Sequence, residues 1–140
     1  MRKLLFVLTC FAGMQAMPAA AAVVEATINL SEQRMYVYKN GYMLHSWAVS
    51  TARRGKVTPV GSWTAKWTSR YHRSSRYHNA PMPFSIFFNG NYAVHGTDQV
   101  KRLGSPASAG CIRLHPDNAR VLYNMALEAG LKNTLIRVVR

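Results

Sequence analysis

"SPASAGCIRLHPDN", residues 105–118, sets Cys111 behind a glycine and before an Ile-Arg-Leu run, and it ends on the residues that open a helix. Ala119, Leu122, Met125, Ala126 and Ala129 fall on one face of residues 116–129 at helical spacing. Pro116 suits the first turn and Gly130 the stop. No other segment has good helical periodicity. Working outward, Val24, Ala26, Ile28 and Leu30 alternate as a half-buried strand requires. The runs RMYVY (34–38) and YMLHSWAVS (42–50) flank Lys39-Asn40-Gly41, and Asn-Gly between two such runs predicts a hairpin, because both residues tolerate the positive φ of a type I′ turn. TPVGSWTAKW (58–67) reads as one further strand entered through a proline turn. FSIFFNGNYAVHG (84–96) repeats the hairpin, with Asn89-Gly90 as its turn and His95 ending the second strand, and TLIRVVR (134–140) reads as a closing strand. The fold class is therefore mainly β, with one principal helix after the cysteine. KWTSRYHRSSRYHNAPMP (66–83) has no acid and mixes Lys66, Arg70, Arg73 and Arg76 with aromatics; it reads as a solvated loop, or as a substrate-contacting loop bordering a cleft near His95.

The first 22 residues have the three parts of a secretory signal peptide: Arg2 and Lys3, an apolar stretch, and an alanine-rich site with Ala20 and Ala22 before Val23. Pro18 interrupts the apolar stretch, which is short of the roughly 20 apolar residues of a spanning helix. Cleavage there leaves residues 23–140 as one domain with no stable membrane span. Without Arg2 and Lys3, 16 of the 18 basic residues remain against five acids, a net charge of +11. Such a charge suits a polyanionic partner: nucleic acid, an anionic membrane, or an envelope polymer bearing carboxylates. Export makes nucleic acid the weakest of the three.

Cleavage also removes Cys10, one of only two cysteines, so Cys111 has no partner in the remaining chain. A solitary cysteine in an exported protein is buried and inert, reactive, or paired with another chain. Reactivity requires a base to supply thiolate and donors for an oxyanion. Of five histidines, His95 stands where a strand end delivers a side chain to a site, and the loop between it and Cys111 has three glycines and a proline, so it can fold back and bring the two together. Gly110 leaves room for a carbonyl to approach Cys111. Zinc is the competing reading, from Cys111 and His115, but no C-x-x-C or H-x-x-x-H accompanies them.

VHGT (94–97), followed by LGSPASAGCIRL (103–114), resembles the L,D-transpeptidase catalytic domain of the YkuD family, in which His-Gly precedes Ser/Thr-His-Gly-Cys and an aliphatic-Arg or aliphatic-Asn step. VST (49–51), TPVGSW (58–63) and MPFSIFF (82–88) are also similar, so the resemblance spans residues 24–140. It implies a β-sandwich-like fold in the bacterial envelope, or periplasm, acting on peptidoglycan stem peptides. The reaction it implies is acyl transfer from a tetrapeptide through a cysteine thioester to an amine, either another stem or an envelope protein, with no metal or organic cofactor. Carried over, Cys111 matches the nucleophile and His95 the general base, while Ser108, Gly110, Arg113 and Gly96 match substrate-contacting positions. Ala109 departs from the pattern: the family usually has histidine there, and the change implies altered rate or substrate choice. A hydrolase on the same scaffold and a non-catalytic peptidoglycan-binding domain are the rival readings.

Overall fold

The computed structural model describes residues 23–140; the expected signal peptide, residues 1–22, lies outside the described residues. Nine strands follow in chain order: β1 (Val24–Asn29), β2 (Arg34–Lys39), β3 (Tyr42–Ala48), β4 (Gly61–Thr64), β5 (Trp67–Arg73), β6 (Pro81–Asn89), β7 (Tyr92–Gly96), β8 (Ile112–Leu114) and β9 (Thr134–Val139). One α-helix, α1 (Pro116–Ala129), lies between the last two. The strands form two sheets, β3-β2-β1-β9-β4 and β5-β6-β7-β8, so the protein is mainly β.

The local reasons are legible in the residues. Asn40 and Gly41 have φ of 50° and 81°, the two positive values of a type I′ turn, and they join β2 to β3. Alternation in β1 sends Val24, Ala26 and Ile28 into the core, where Met35 and Val37 of β2 and Ile136 and Val138 of β9 meet them. The inner face of the second sheet supplies Ile86, Phe88, Val94, Ile112 and Leu114. α1 packs across β6 and β7 and closes the core with Ala119, Leu122, Tyr123, Ala126 and Ala129. Met125, expected on that face, is partly buried beside it. Each fully buried Leu, Ile or Phe side chain contributes roughly 2 kcal/mol.

Three expectations are corrected. Residues 58–67 are not one strand: β4 and β5 belong to different sheets, with Ala65–Lys66 as the corner. There the Ala65 N–H donates to the Thr134 carbonyl of one sheet and the Lys66 N–H to the Phe87 carbonyl of the other. The stretch 66–83 is not a loop: β5 pairs antiparallel with β6, leaving residues 74–80 as the connection. Its alternation is hidden because the ladder skips Arg70 opposite Phe84, whose φ is 54°, and the faces exchange there. Met82 and Phe87, an odd number of positions apart, consequently join one cluster. The second hairpin turns one residue later than expected, at Gly90-Asn91, with Asn89 paired to Tyr92 and an irregularity between Phe87 and Asn89 absorbing the shift.

Candidate active site

β7 and β8 run parallel, with Val94 opposite Ile112 and His95 opposite Arg113. Alternation sends Val94, Ile112 and Leu114 into the core. The other face carries Ala93 and His95 on β7 and Cys111 and Arg113 at β8, and Cys111 packs against the small cluster of Met82, Phe87 and Ala93. The register makes His95 and Cys111 diagonal neighbours on adjacent strands. Both line one cleft of about 600 Å³. Its floor continues across the sheet to Phe87 and His72, and Arg53 and the 74–78 connection form walls.

The turn before Cys111 is held from two directions. Ser108 is buried, and its hydroxyl donates to the Cys111 carbonyl at 2.6 Å while accepting from the Gly110 N–H at 3.0 Å. Thr58 spans the second direction: its hydroxyl donates to the Gly110 carbonyl at 2.7 Å and accepts from the Ala52 N–H at 3.0 Å. Backbone bonds add to this stitching. The Ser108 and Ala107 N–H groups donate to the Thr51 carbonyl, the Arg53 N–H to the Ser108 carbonyl, and Ser50 and Arg113 exchange N–H···O bonds. Gln33 anchors the stitch in turn, accepting from the Thr51 N–H at 3.0 Å and donating to the Thr51 hydroxyl at 2.7 Å.

Electrostatics give the two central groups distinct roles. The His95 Nδ1 lies 2.7 Å from the Gly96 carbonyl. A carbonyl only accepts, so Nδ1 carries the proton and Nε2 keeps its lone pair. Burial pushes the imidazole down to about 4, the Gly96 hydrogen bond opposing it and the nearby Arg113 charge reinforcing it. Burial pushes the Cys111 thiol up, against a backbone hydrogen bond at Ala93 and the Arg113 charge. At neutral pH the free protein thus holds a thiol and a neutral imidazole in one cleft, with the Cys111 Sγ directed at the Asn91 carbonyl at 3.7 Å, an arrangement that can move a proton when an electrophile arrives.

The cleft brings together four of the expected residues, Cys111, His95, Ser108 and Arg113, with Ala109 on the same wall. Gly96 and Gly110, read from the resemblance as substrate contacts, do not line it. A Cβ on Gly96 would meet Pro83 Cγ at 3.0 Å and Pro116 Cα at 3.1 Å, so that glycine faces packing. Gly110 has φ 141°, and a Cβ would lie 2.7 Å from the Tyr92 ring and 2.8 Å from the Val57 carbonyl. Its N–H is committed to Ser108, so the room it gives is to its own neighbours rather than to a ligand. His115 caps α1, its Nδ1 accepting the Asp117 N–H at 3.2 Å, and among the described residues no three His, Cys, Asp or Glu side chains converge. His72 and residues 74–78 line the cleft, as the cleft-bordering alternative for 66–83 expects, while Arg53, Thr58 and Gln33 are absent from the sequence reading. For Thr58 the TPVG segment was a signal; the others had none, because their placement depends on pairings distant in sequence.

A family model described as the L,D-transpeptidase catalytic domain, YkuD, matches residues 24–138. The chain belongs to the YkuD family. Among curated proteins it is 26% identical over 121 residues to the probable L,D-transpeptidase YbiS of Escherichia coli K12, covering 69% of this chain and 39% of that protein. The L,D-transpeptidase from Mycobacterium smegmatis superposes with a TM-score of 0.76 at 23% identity, covering 85% of this chain and 59% of that one. The one from Stackebrandtia nassauensis gives 0.73 at 22%, covering 94% and 61%. The LD transpeptidase LdtMt1, solved in complex with imipenem, gives 0.75 at 23%, covering 84% and 59%. These structures share the two-sheet YkuD fold. The chain spans well under two thirds of the length of each.

Proposed function

We propose that the protein is a peptidoglycan L,D-transpeptidase, exported to the cell envelope, in which Cys111 is the nucleophile and His95 the general base. The observation that carries this reading is the shared cleft wall: a thiol beside an imidazole whose Nδ1 is fixed on the Gly96 carbonyl and whose Nε2 is bare. In the first half-reaction Nε2 takes the thiol proton while sulfur attacks the carbonyl of an L-to-D peptide bond in a donor tetrapeptide. The C–N bond breaks, His95 returns the proton to the leaving amine nitrogen, and a thioester remains. An acceptor amine then attacks the thioester, gives its proton to His95, and releases the sulfur, which recovers that proton. Arg113, half-buried on the same wall, supplies positive charge for stem-peptide carboxylates. The acceptor is another stem or an envelope protein.

Incubation with disaccharide-tetrapeptide and an amine acceptor tests this. The expected products are amine-linked muropeptides, abolished by Cys111→Ala; tripeptide alone identifies a hydrolase. Intact mass after exposure to imipenem is expected to show one adduct on Cys111. A folded protein that gives neither adduct nor product is a binding domain, and the proposal fails.

A further inference from the structure

Arg113 has no carboxylate partner: the three ion pairs among the described residues involve His115, Arg120, Arg137, Asp117 and Glu25. Its Nη1 donates to the Gln99 side-chain oxygen at 3.2 Å, which fixes the guanidinium while leaving its other N–H groups free. A second guanidinium faces the same cleft. Arg53 is fixed through its backbone, its N–H on the Ser108 carbonyl at 2.9 Å and its own carbonyl accepting the Lys56 N–H, which turns the exposed 53–56 loop back along the wall. Burial and the nearby Arg53 charge both disfavour the charge on Arg113, while Asp98, the one acid on the cleft, favours it. Two like charges held on one wall, next to the thiol and facing a single acid, Asp98, form a receptor for an anion.

Building on the acyl-transfer reading, we propose that Arg53 together with Arg113 forms a subsite for a carboxylate borne on the carbon attached to the reacting nitrogen. Arg113, in β8, stands two positions beyond Cys111, about 7 Å along an extended backbone. A carboxylate one residue beyond the attacked carbonyl falls within the reach of both arginine side chains. The same chemistry occurs twice in the reaction. The leaving amine of a donor ending in a free amino acid carries such a carboxylate, and so does an acceptor amine that is itself an α-amino acid. Both nitrogens occupy one place, so a single subsite reads both. Arg53, outside the acylation chemistry, is the specificity-determining member.

The test has a binding arm and a turnover arm. In the Cys111→Ala protein, the free-acid tetrapeptide is expected to bind at least tenfold more tightly than its C-terminal amide by calorimetry, and Arg53→Gln is expected to bring the two within about threefold. In the wild type, the acyl-enzyme is discharged with glycine and with glycinamide. A preference for glycine over glycinamide that Arg53→Gln removes and Arg53→Lys partly restores places the subsite on the acceptor side. Discrimination confined to the binding arm places it on the donor side. Equal affinity for acid and amide together with equal discharge by both amines overturns the proposal, whereas absence of any acyl-enzyme alongside intact acid-over-amide binding refutes the transpeptidase reading instead.

Discussion

At His95, burial and the Gly96 carbonyl act in opposite directions on the proton, and burial wins. An unfolded histidine titrates near 6.5 and the folded one at about 4, so between those values only the unfolded chain binds the proton. Stability from this group is fully present above pH 6.5 and is lost as pH falls toward 4, an effect of about 3 kcal/mol at roughly 1.4 kcal/mol per pH unit. Urea midpoints for wild type and His95→Gln are expected to converge as the pH drops from 7 to 4; parallel curves would contradict the assignment. The acid limb of Cys111 acylation is expected near pH 4 rather than near 6.5, since His95 must be neutral to accept the proton. Gly110 makes a separate prediction. Gly110→Ala places a methyl group against the Tyr92 ring and the Val57 carbonyl at φ 141°, and is expected to cost about 2 kcal/mol or more. The thermal midpoint reads that loss.

The element whose contribution can be isolated is the extended segment Val49–Arg53, which stitches the cysteine turn to the body without belonging to a named strand. Thr58→Val keeps its shape and removes one donor and one acceptor, leaving the Ala52 N–H and the Gly110 carbonyl unpaired in a buried setting. The expected loss is about 1–3 kcal/mol, with faster amide exchange at Ala52 and Ser108. If exchange at both amides is unaltered, Thr58 does not hold the turn. Elements with strong local chemistry were legible in the sequence: the Asn40-Gly41 hairpin, the alternation of β1, His95 near the end of β7, and α1 from Pro116 to Ala129. Less legible were β5 and the start of β6, where the exchange of faces at Arg70 and Phe84 and the prolines at 81 and 83 erase a period of two. The three residues of β8 are too few to carry a pattern at all. Cys111, His95, Ser108 and Arg113, the expected residues that line the cleft, sit in two short motifs, whereas Arg53 reaches the cleft only through its backbone bond to Ser108.

For the whole molecule, charge is the property that exceeds any single contact. The full sequence carries 18 basic residues against five acids, and the cleft wall concentrates part of that excess at Arg53 and Arg113. A field of one sign over a cleft raises the encounter rate with anionic substrates and is screened by salt. The second-order rate of Cys111 acylation by a tetrapeptide donor is therefore expected to fall roughly tenfold between about 20 mM and 500 mM salt. A neutral thiol reagent should show almost no such dependence, and equal dependence for both would remove the steering argument. Among the described residues no helix is long and apolar enough to cross a membrane.

The first sheet is completed by β9, inserted between β1 and β4, and Val24 finds its parallel partner Thr134 only 110 positions later. During synthesis at about 5–20 residues per second, β1 therefore spends roughly 5–20 s with that hydrogen-bonding edge bare. The nascent polypeptide stays open over this interval and accessible to chaperones.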